Sequence, residues 1–204
     1  MKNLLETEFA NIATNIPNLF FIEVGANDGI TVDPLYELII KHKWDGILVE
    51  PNPLMAGALK NTYVNNTNLI IEECLISEKD GIIDFYYNGD NNTTLHNTLC
   101  ESYANMHFGT AAKTVPTLSL TFDSLLKKHN VNKVDLLMID VEGYDAALLK
   151  IFPYHIIKPK LVRAEHTHIF HNNNTIEEME SFLIEQGYEC FLDESGSDII
   201  GILK

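Results

Sequence analysis

The residues with the clearest chemical meaning lie in two short segments near the start of the chain. Gly25 and Gly29 flank the turn 25–29, which follows the apolar run 20–24, and Glu50 ends a second apolar run, 46–49. Glycines allow a backbone to bend sharply and to approach a ligand closely. A carboxylate at the end of the second strand is where nucleotide-binding sheets hold the two ribose hydroxyls. Together the two segments predict half of a site for an adenosine-containing cofactor.

Further polar residues follow later apolar runs in the same way. Asp140 and Glu142 come after the run 134–139, and Glu165-His166 follows 161–164. Glu73 and Cys74 follow 69–71. Ligands of open α/β sheets bind beyond the carboxyl ends of the strands. We therefore expect all these residues at one edge of the sheet.

The turn differs from that of a dinucleotide-binding protein. Asn27 stands at the position of the middle glycine, and Asp28 places a negative charge where a pyrophosphate would lie. With Glu23 and Asp140 nearby, the turn favours a cofactor of cationic character. A nicotinamide-dependent oxidoreductase is therefore a weaker interpretation.

Strands and helices alternate along the chain, which is typical of an open α/β sheet with helices on both faces. The leader, residues 1–18, predicts a helix over 3–14 that covers the sheet or closes over the cofactor. Proline or a capping side chain predicts helix starts after Asp33 and Asn52 and at Thr121 and Thr175. Segment 82–87 is predicted to pair antiparallel with 74–76, and the segments 188–192 and 199–203 predict a terminal hairpin. The irregular stretch 88–113 is interpreted as a substrate lid.

Composition limits the possible partners. The chain has 204 residues and a formal net charge of −15 without a basic block, which argues against a broad nucleic-acid-binding face. Three scattered cysteines suit a reducing compartment, and no apolar run is long enough to cross a bilayer. We expect a single domain, 1–204, in the cytoplasm. The sequence does not indicate an oligomeric state.

Three segments together resemble the FkbM-type S-adenosylmethionine-dependent methyltransferases: 23–29 (EVGANDG), 49–53 (VEPNP) and 139–144 (IDVEGY). The resemblance implies a class I methyltransferase, Rossmann-like fold: an open, mostly parallel sheet of seven strands whose C-terminal antiparallel hairpin supplies one reversed strand. It also implies methyl transfer to oxygen, on a sugar or another small metabolite, so that the expected partner is a small-molecule or glycan acceptor.

The resemblance also implies roles for individual residues. The cofactor turn around the methionine part would consist of Glu23, Gly25, Asn27 and Gly29. The ribose hydroxyls would bind Glu50, and Glu73 or Cys74 would lie near the adenine. Asp140 would face the amino end of the cofactor or the reacting centre. For Glu73 and Cys74 the alternatives are a solvated surface acid and a small core residue.

The reaction needs alignment of an acceptor oxygen with the sulfonium methyl group, and a base to remove the hydroxyl proton. His166, oriented by Glu165, is the candidate base, with Asp140 beside it. A less favoured alternative is a divalent metal held by Asp140, Glu142, Glu165 and His166. Glu165 and His166 could also satisfy each other structurally. A binding module that keeps the fold without catalysis is the second functional hypothesis.

Overall fold

The computed structural model of the protein describes residues 1–88, 98–167 and 175–204. Eight strands in this part of the chain form the main sheet, in the order β1-β10-β11-β9-β8-β2-β3-β4. Their bounds are β1 Lys2–Asn3, β2 Phe20–Val24, β3 Asp45–Val49, β4 Leu69–Glu72, β8 Leu136–Ile139, β9 Leu161–Glu165, β10 Tyr188–Leu192 and β11 Asp198–Leu203. β11 runs antiparallel to both of its neighbours, and the other pairings are parallel. The predicted mostly parallel sheet with a C-terminal hairpin is confirmed.

A smaller sheet of three strands joins β5 Leu75–Ile76, β7 Ala112–Leu120 and β6 Gly81–Asn88 in that order. β6 pairs antiparallel with β7 along its whole length, from Gly81 opposite Ser119 to Asn88 opposite Ala112. The predicted pairing of 82–87 with 74–76 is therefore wrong. The physical reason is length, because the two-residue β5 can satisfy few of the backbone groups of β6, whereas the nine-residue β7 satisfies the whole strand.

The helices connect the strands and cover the main sheet on both faces. Their bounds are α1 Glu6–Thr14, α2 Tyr36–His42, α3 Pro53–Thr62, α4 Glu101–His107, α5 Phe122–Lys128, α6 Asp145–Ile151 and α7 Ile176–Glu185. Three of the predicted caps are present: the side chains of Asn52, Thr121 and Thr175 accept a backbone N–H in the first turn of α3, α5 and α7. None of the helices described here has the length and apolar character that crossing a membrane requires.

Alternation along the central strand β2 divides the core in two. Phe21 packs with Phe9 of α1 and Ile39 of α2 on one face. Ile22 packs on the other face with a larger cluster that includes Leu148 of α6. Successive strand side chains point to opposite faces, so a run that is apolar at both 21 and 22 requires helices on both sides. This is the two-sided arrangement predicted from the sequence.

Two predicted segments differ from the structure in detail. The N-terminal helix begins at Glu6 rather than at residue 3, because Lys2–Asn3 pairs with β10 as β1. In the proposed lid 88–113, residues 98–113 contain α4, a short 3₁₀ turn at 109–111 and the start of β7, and residues 89–97 lie outside the described part. Cys100, Tyr103, Ala104 and Phe108 form a small core there. Their helical spacing was the sequence signal for α4.

Candidate functional site

Two adjacent cavities lie at the carboxyl ends of the central strands. The first, the apolar cavity, lies between the ends of β2 and β3 and the small sheet, and has an empty volume of about 560 Å³. Its apolar walls are Met55, Cys74, Ile76, Phe85, Leu99 and Leu148. The second, the acidic cavity, has an empty volume of about 870 Å³. Its carboxylates are Glu23, Asp33, Asp140, Glu142 and Glu165. Both cavities are also lined by Gly25, Asn27, Asp140 and Glu142, so they lie side by side.

Gly25 is held at the point where the two cavities meet. Its φ is +90°, and a Cβ on it would lie 1.7 Å from the backbone oxygen of Asp140. Its N–H donates to the Val49 oxygen at 2.9 Å. The turn thus packs against the ends of both neighbouring strands, and glycine is required by contact as well as by conformation.

Glu50 connects the turn to β3. Its Oε2 accepts the N–H of Asn27 at 2.9 Å, and its Oε1 accepts the N–H of Asn52 at 2.8 Å. Burial raises the pKa of Glu50 to about 7, although these two hydrogen bonds lower it. A carboxylate accepts about four hydrogen bonds in total. Glu50 lines the apolar cavity, so its remaining capacity is available to a bound diol.

Gly29, predicted as part of the cofactor turn, packs against α3. It lines neither cavity, and a Cβ on it would lie 2.6 Å from side-chain atoms of Leu59 and Tyr63. The Tyr63 hydroxyl donates to the Gly29 oxygen at 3.2 Å. Gly29 therefore allows α3 to pack closely under the turn.

Glu23 is buried at the floor of the acidic cavity, only 3% exposed. Its Oε2 has no hydrogen-bond partner among the residues that the structure describes. Burial raises the pKa of Glu23 well above its ordinary value, and the charges of Asp33 and Asp140 raise it further. A buried carboxylate oxygen without a donor is costly, and burial accordingly favours the protonated form of this carboxyl.

Asp140, Glu142 and Glu165 stand at the ends of β8 and β9. The open cavity leaves Asp140 accessible, yet the surrounding protein desolvates its carboxyl and, with Glu165 and Glu142, raises its pKa to about 8. Glu142 accepts the hydroxyl of Tyr103 at 2.5 Å, and Glu165 accepts that of Thr167 at 2.6 Å. These three carboxylates are brought together as predicted.

Asp145, at the start of α6, was missed by sequence reasoning. Its carboxylate accepts the N–H groups of Val141 and Gly143 at 2.9 and 3.0 Å. One oxygen from each of Asp140, Asp145 and Glu165 lies within 4.8 Å of the other two. The sequence did contain a signal for Asp145, since it is an acid in the first turn of a helix that follows Gly143. The side chain of such a residue commonly accepts backbone N–H groups of the preceding loop.

The predicted base His166 lines neither cavity. Its backbone N–H continues the hairpin by donating to the Ser197 oxygen at 2.9 Å. Side chains alternate along an extended chain, so Glu165 and His166 lie on opposite faces. The ring Nε2 has no partner within the described part of the chain. The structure thus separates His166 from the carboxylates with which it was grouped, both as a base and as a metal ligand.

The two residues predicted near the adenine also separate. Cys74 lines the apolar cavity, and burial, followed by the charge of Glu72, raises the pKa of its thiol to about 12. It is therefore an apolar wall residue. Glu73 is half-exposed, pairs with Lys60 at 2.9 Å and lines neither cavity. Glu73 therefore fits the alternative interpretation, that of a solvated surface acid.

A family model, the Methyltransferase FkbM domain, matches residues 23–190. The chain belongs to the FkbM methyltransferase family. The resemblance that segments 23–29, 49–53 and 139–144 indicated is confirmed. No curated protein matches the sequence.

Solved methyltransferases share the fold of this FkbM methyltransferase domain. The CurJ carbon methyltransferase superposes with a TM-score of 0.54 at 10% identity, covering 97% of this chain and 52% of the CurJ chain. The CMeT domain of the citrinin polyketide synthase gives 0.53 at 10% identity, covering 97% and 50%. The chain thus spans about half the length of these structures. The class I, Rossmann-like methyltransferase fold is confirmed.

Proposed function

We propose that this protein transfers the methyl group of S-adenosylmethionine to a hydroxyl oxygen of a sugar or another small metabolite. The observation that supports it most directly is that the two cavities share Gly25 in their linings, with a buried carboxylate, Glu50, in one and a cluster of carboxylates around the other. A nucleoside joined to a cationic amino-acid tail has matching chemistry along its length.

The nucleoside half would occupy the apolar cavity. The adenine would lie among the apolar walls near Cys74 and Phe85, and the ribose hydroxyls would donate to Glu50. Glu50 suits this role because two backbone N–H groups fix its orientation before any ligand arrives. Preorganised groups of this kind lose little freedom on binding.

The methionine half would extend into the acidic cavity. Its ammonium group would donate to acceptors that have no donor in the described part of the protein: Glu23 Oε2 and Asn27 Oδ1. The sulfonium would then lie near Gly25 and Asp140. Negative charge at this place stabilises a cation, which agrees with the absence of a pyrophosphate-type turn.

The acceptor would approach from the side of Asp140 and Glu165. In the reaction, the bond from sulfur to the methyl carbon breaks, the bond from that carbon to the acceptor oxygen forms, and the hydroxyl proton is released. We give His166 no part in this step because it lines neither cavity. Alignment of the acceptor oxygen with the methyl group is the main contribution of the protein.

Residues 98–113 support a binding role for the predicted lid. The Thr98 hydroxyl donates to the backbone oxygen of Glu142 at 2.7 Å, and the Tyr103 hydroxyl donates to the Glu142 carboxylate. The segment thereby contacts the loop that carries Asp140. We propose that it selects the acceptor, as loops near active sites commonly do.

Calorimetric titration with S-adenosylhomocysteine and, separately, with NAD tests the cofactor. We expect binding of the first and none of the second, and preference for NAD would overturn the proposal. Methylation of a panel of sugars and hydroxylated metabolites with a labelled methyl donor then tests the acceptor. If the protein binds S-adenosylhomocysteine and labels only amines or carbon, the transfer to oxygen is wrong. If it labels nothing, the non-catalytic binding module is the better interpretation.

A further inference from the structure

We propose that Tyr103 is a positioning residue that holds the Glu142 carboxylate beside the sulfonium of S-adenosylmethionine. The pair strengthens binding of this cofactor relative to S-adenosylhomocysteine, the product, which carries no charge on sulfur. The inference rests on the proposed function, from which it takes the place of the cofactor. It gives the segment 98–108 a part in cofactor binding as well as in acceptor selection.

Glu142 lies where the two cavities meet. The residues that line both cavities are Gly25, Asn27, Asp140 and Glu142. In S-adenosylmethionine the sulfur joins the nucleoside to the amino-acid part. A cofactor with its ribose at Glu50 and its ammonium group in the acidic cavity therefore has its sulfur beside these shared residues.

The backbone of Glu142 is fixed from several sides. Its φ is +55°, in the left-handed region that residues with a Cβ rarely adopt. The N–H groups of Val141 and Gly143, on either side of it, donate to the carboxylate of Asp145 at 2.9 and 3.0 Å. The Thr98 hydroxyl donates to the backbone oxygen of Glu142 at 2.7 Å. Conformations of this kind persist only where the surrounding contacts determine them.

The side chain of Glu142 is held by Tyr103. The Tyr103 hydroxyl donates to Oε2 of Glu142 at 2.5 Å. Tyr103 is fully buried. Burial, followed by the hydrogen bond to Glu142 and the charge of that residue, raises the pKa of the Tyr103 hydroxyl, so it keeps its proton at neutral pH. A neutral donor of this kind orients the carboxylate and leaves its negative charge in place.

Tyr103 is in turn fixed by the small core of the segment 98–108. Its ring lies edge-on to that of Phe108, with the ring centroids 6.4 Å apart. The segment is joined to β6 by a pair of backbone hydrogen bonds between Tyr86 and Thr98, at 2.9 and 3.0 Å. The position of the Glu142 carboxylate therefore depends on a packed part of the protein that lines neither side of the cofactor turn.

The charge of Glu142 reaches the place where the sulfur would lie. Burial and the charges of Glu165 and Glu142 raise the pKa of Asp140, which lines both cavities. Opposite charges a few ångströms apart in a partly buried site attract strongly. Methyl transfer turns the sulfonium into a neutral thioether, so this attraction is lost as the product forms. The product is thereby released more readily than the cofactor.

Calorimetric titration with S-adenosylmethionine and with S-adenosylhomocysteine, without an acceptor, tests the inference. The quantity measured is the discrimination ratio, the Kd of S-adenosylhomocysteine divided by the Kd of S-adenosylmethionine. Glu142→Gln keeps an oxygen for Tyr103 and removes the charge, so the ratio should fall at least about fivefold. Tyr103→Phe keeps the ring and removes the hydroxyl, and should lower the ratio at least about threefold. The double variant should have the ratio of Glu142→Gln alone.

Two matched changes act as controls. Tyr86→Phe removes a phenolic hydroxyl from a residue that packs against the same small core and lines neither cavity. Glu73→Gln removes a negative charge outside both cavities. Both variants should keep the discrimination ratio of the wild type. Thermal unfolding of each variant checks that it is folded.

The possible outcomes separate this inference from the proposed function. If Tyr103→Phe weakens both ligands equally, Tyr103 has only a structural role and the inference is wrong. An unchanged ratio in Glu142→Gln also overturns it, even if Tyr103→Phe is unfolded. In both cases binding of S-adenosylhomocysteine leaves the cofactor proposal standing. Binding of neither ligand to the wild type would overturn the cofactor proposal and this inference with it.

Discussion

Two buried glutamates near the ends of neighbouring parallel strands, Glu50 after β3 and Glu23 on β2, differ in how their charge is supported. Glu50 accepts two backbone N–H groups, and its pKa rises to about 7. Glu23 has an oxygen without a donor in the described residues, and burial raises its pKa well above the ordinary value. The Glu50 carboxylate is therefore oriented before a ligand binds, whereas burial favours the protonated form of the Glu23 carboxyl.

The largest effect is expected from the residue that joins the two cavities. Gly25→Ala would place a Cβ 1.7 Å from the Asp140 oxygen at a φ of +90°. The turn must move, and we expect a loss of about 2–5 kcal/mol in the free energy of unfolding. Binding of S-adenosylhomocysteine should become undetectable by calorimetry, while chemical denaturation measures the stability.

Gly57→Ala is the matched control for this change. Gly57 lies within α3 and has no atom within 4 Å of the position of an added Cβ. Alanine is favoured over glycine in a helix, so this variant should gain about 0.5–1 kcal/mol. Equal stability of the two variants would contradict the close contact of Gly25 with Asp140.

The second prediction removes the supported carboxylate. Glu50→Ala leaves the N–H groups of Asn27 and Asn52 without their acceptor and removes the proposed partner of the ribose. Hydrogen bonds to a charged group contribute about 1.5–3 kcal/mol, so calorimetry should show S-adenosylhomocysteine binding weakened about 10–100-fold. Glu73→Gln, outside both cavities, should bind as the wild type does. An unchanged affinity of Glu50→Ala would remove Glu50 from the site.

The sequence contained the parts of the site that depend on strand ends. The turn at Gly25 and the acids at Glu50 and Asp140 follow apolar runs, and parallel strands bring such ends to one edge. Two features could not be predicted from the sequence. The face of the sheet on which the His166 side chain lies depends on the register of β9, since a shift of the register by one residue moves each side chain to the opposite face. The pairing of β6 with β7 depends on a contact across an intervening segment of more than twenty residues.

The third prediction concerns the unsupported carboxylate. Because the pKa of Glu23 is raised in the folded protein, its contribution to stability is complete below the unfolded pKa and is lost as the pH rises toward the folded value. Glu23→Gln has no such proton to lose. We expect the variant to gain about 1–3 kcal/mol relative to the wild type between pH 5 and pH 8, measured by urea unfolding without ligand. If the difference in the free energy of unfolding between variant and wild type does not change with pH, the pKa of Glu23 is not raised in the folded protein.

The smallest expected effect is a pH dependence of S-adenosylhomocysteine affinity, which tests whether the ribose hydroxyls donate to Glu50. Ribose hydroxyls donate hydrogen bonds, so the complex favours the ionised carboxylate, whose pKa in the free protein is about 7. Affinity for S-adenosylhomocysteine should rise by roughly tenfold between pH 6 and pH 8 as the ionised fraction rises. Asp140, with a pKa of about 8, also titrates near this range, so the slope of the wild type alone is not decisive. Glu50→Gln separates the two, because it keeps Asp140 and removes the titrating group that follows β3. A flat profile in that variant assigns the slope to Glu50, and an unchanged slope assigns it to the acidic cavity.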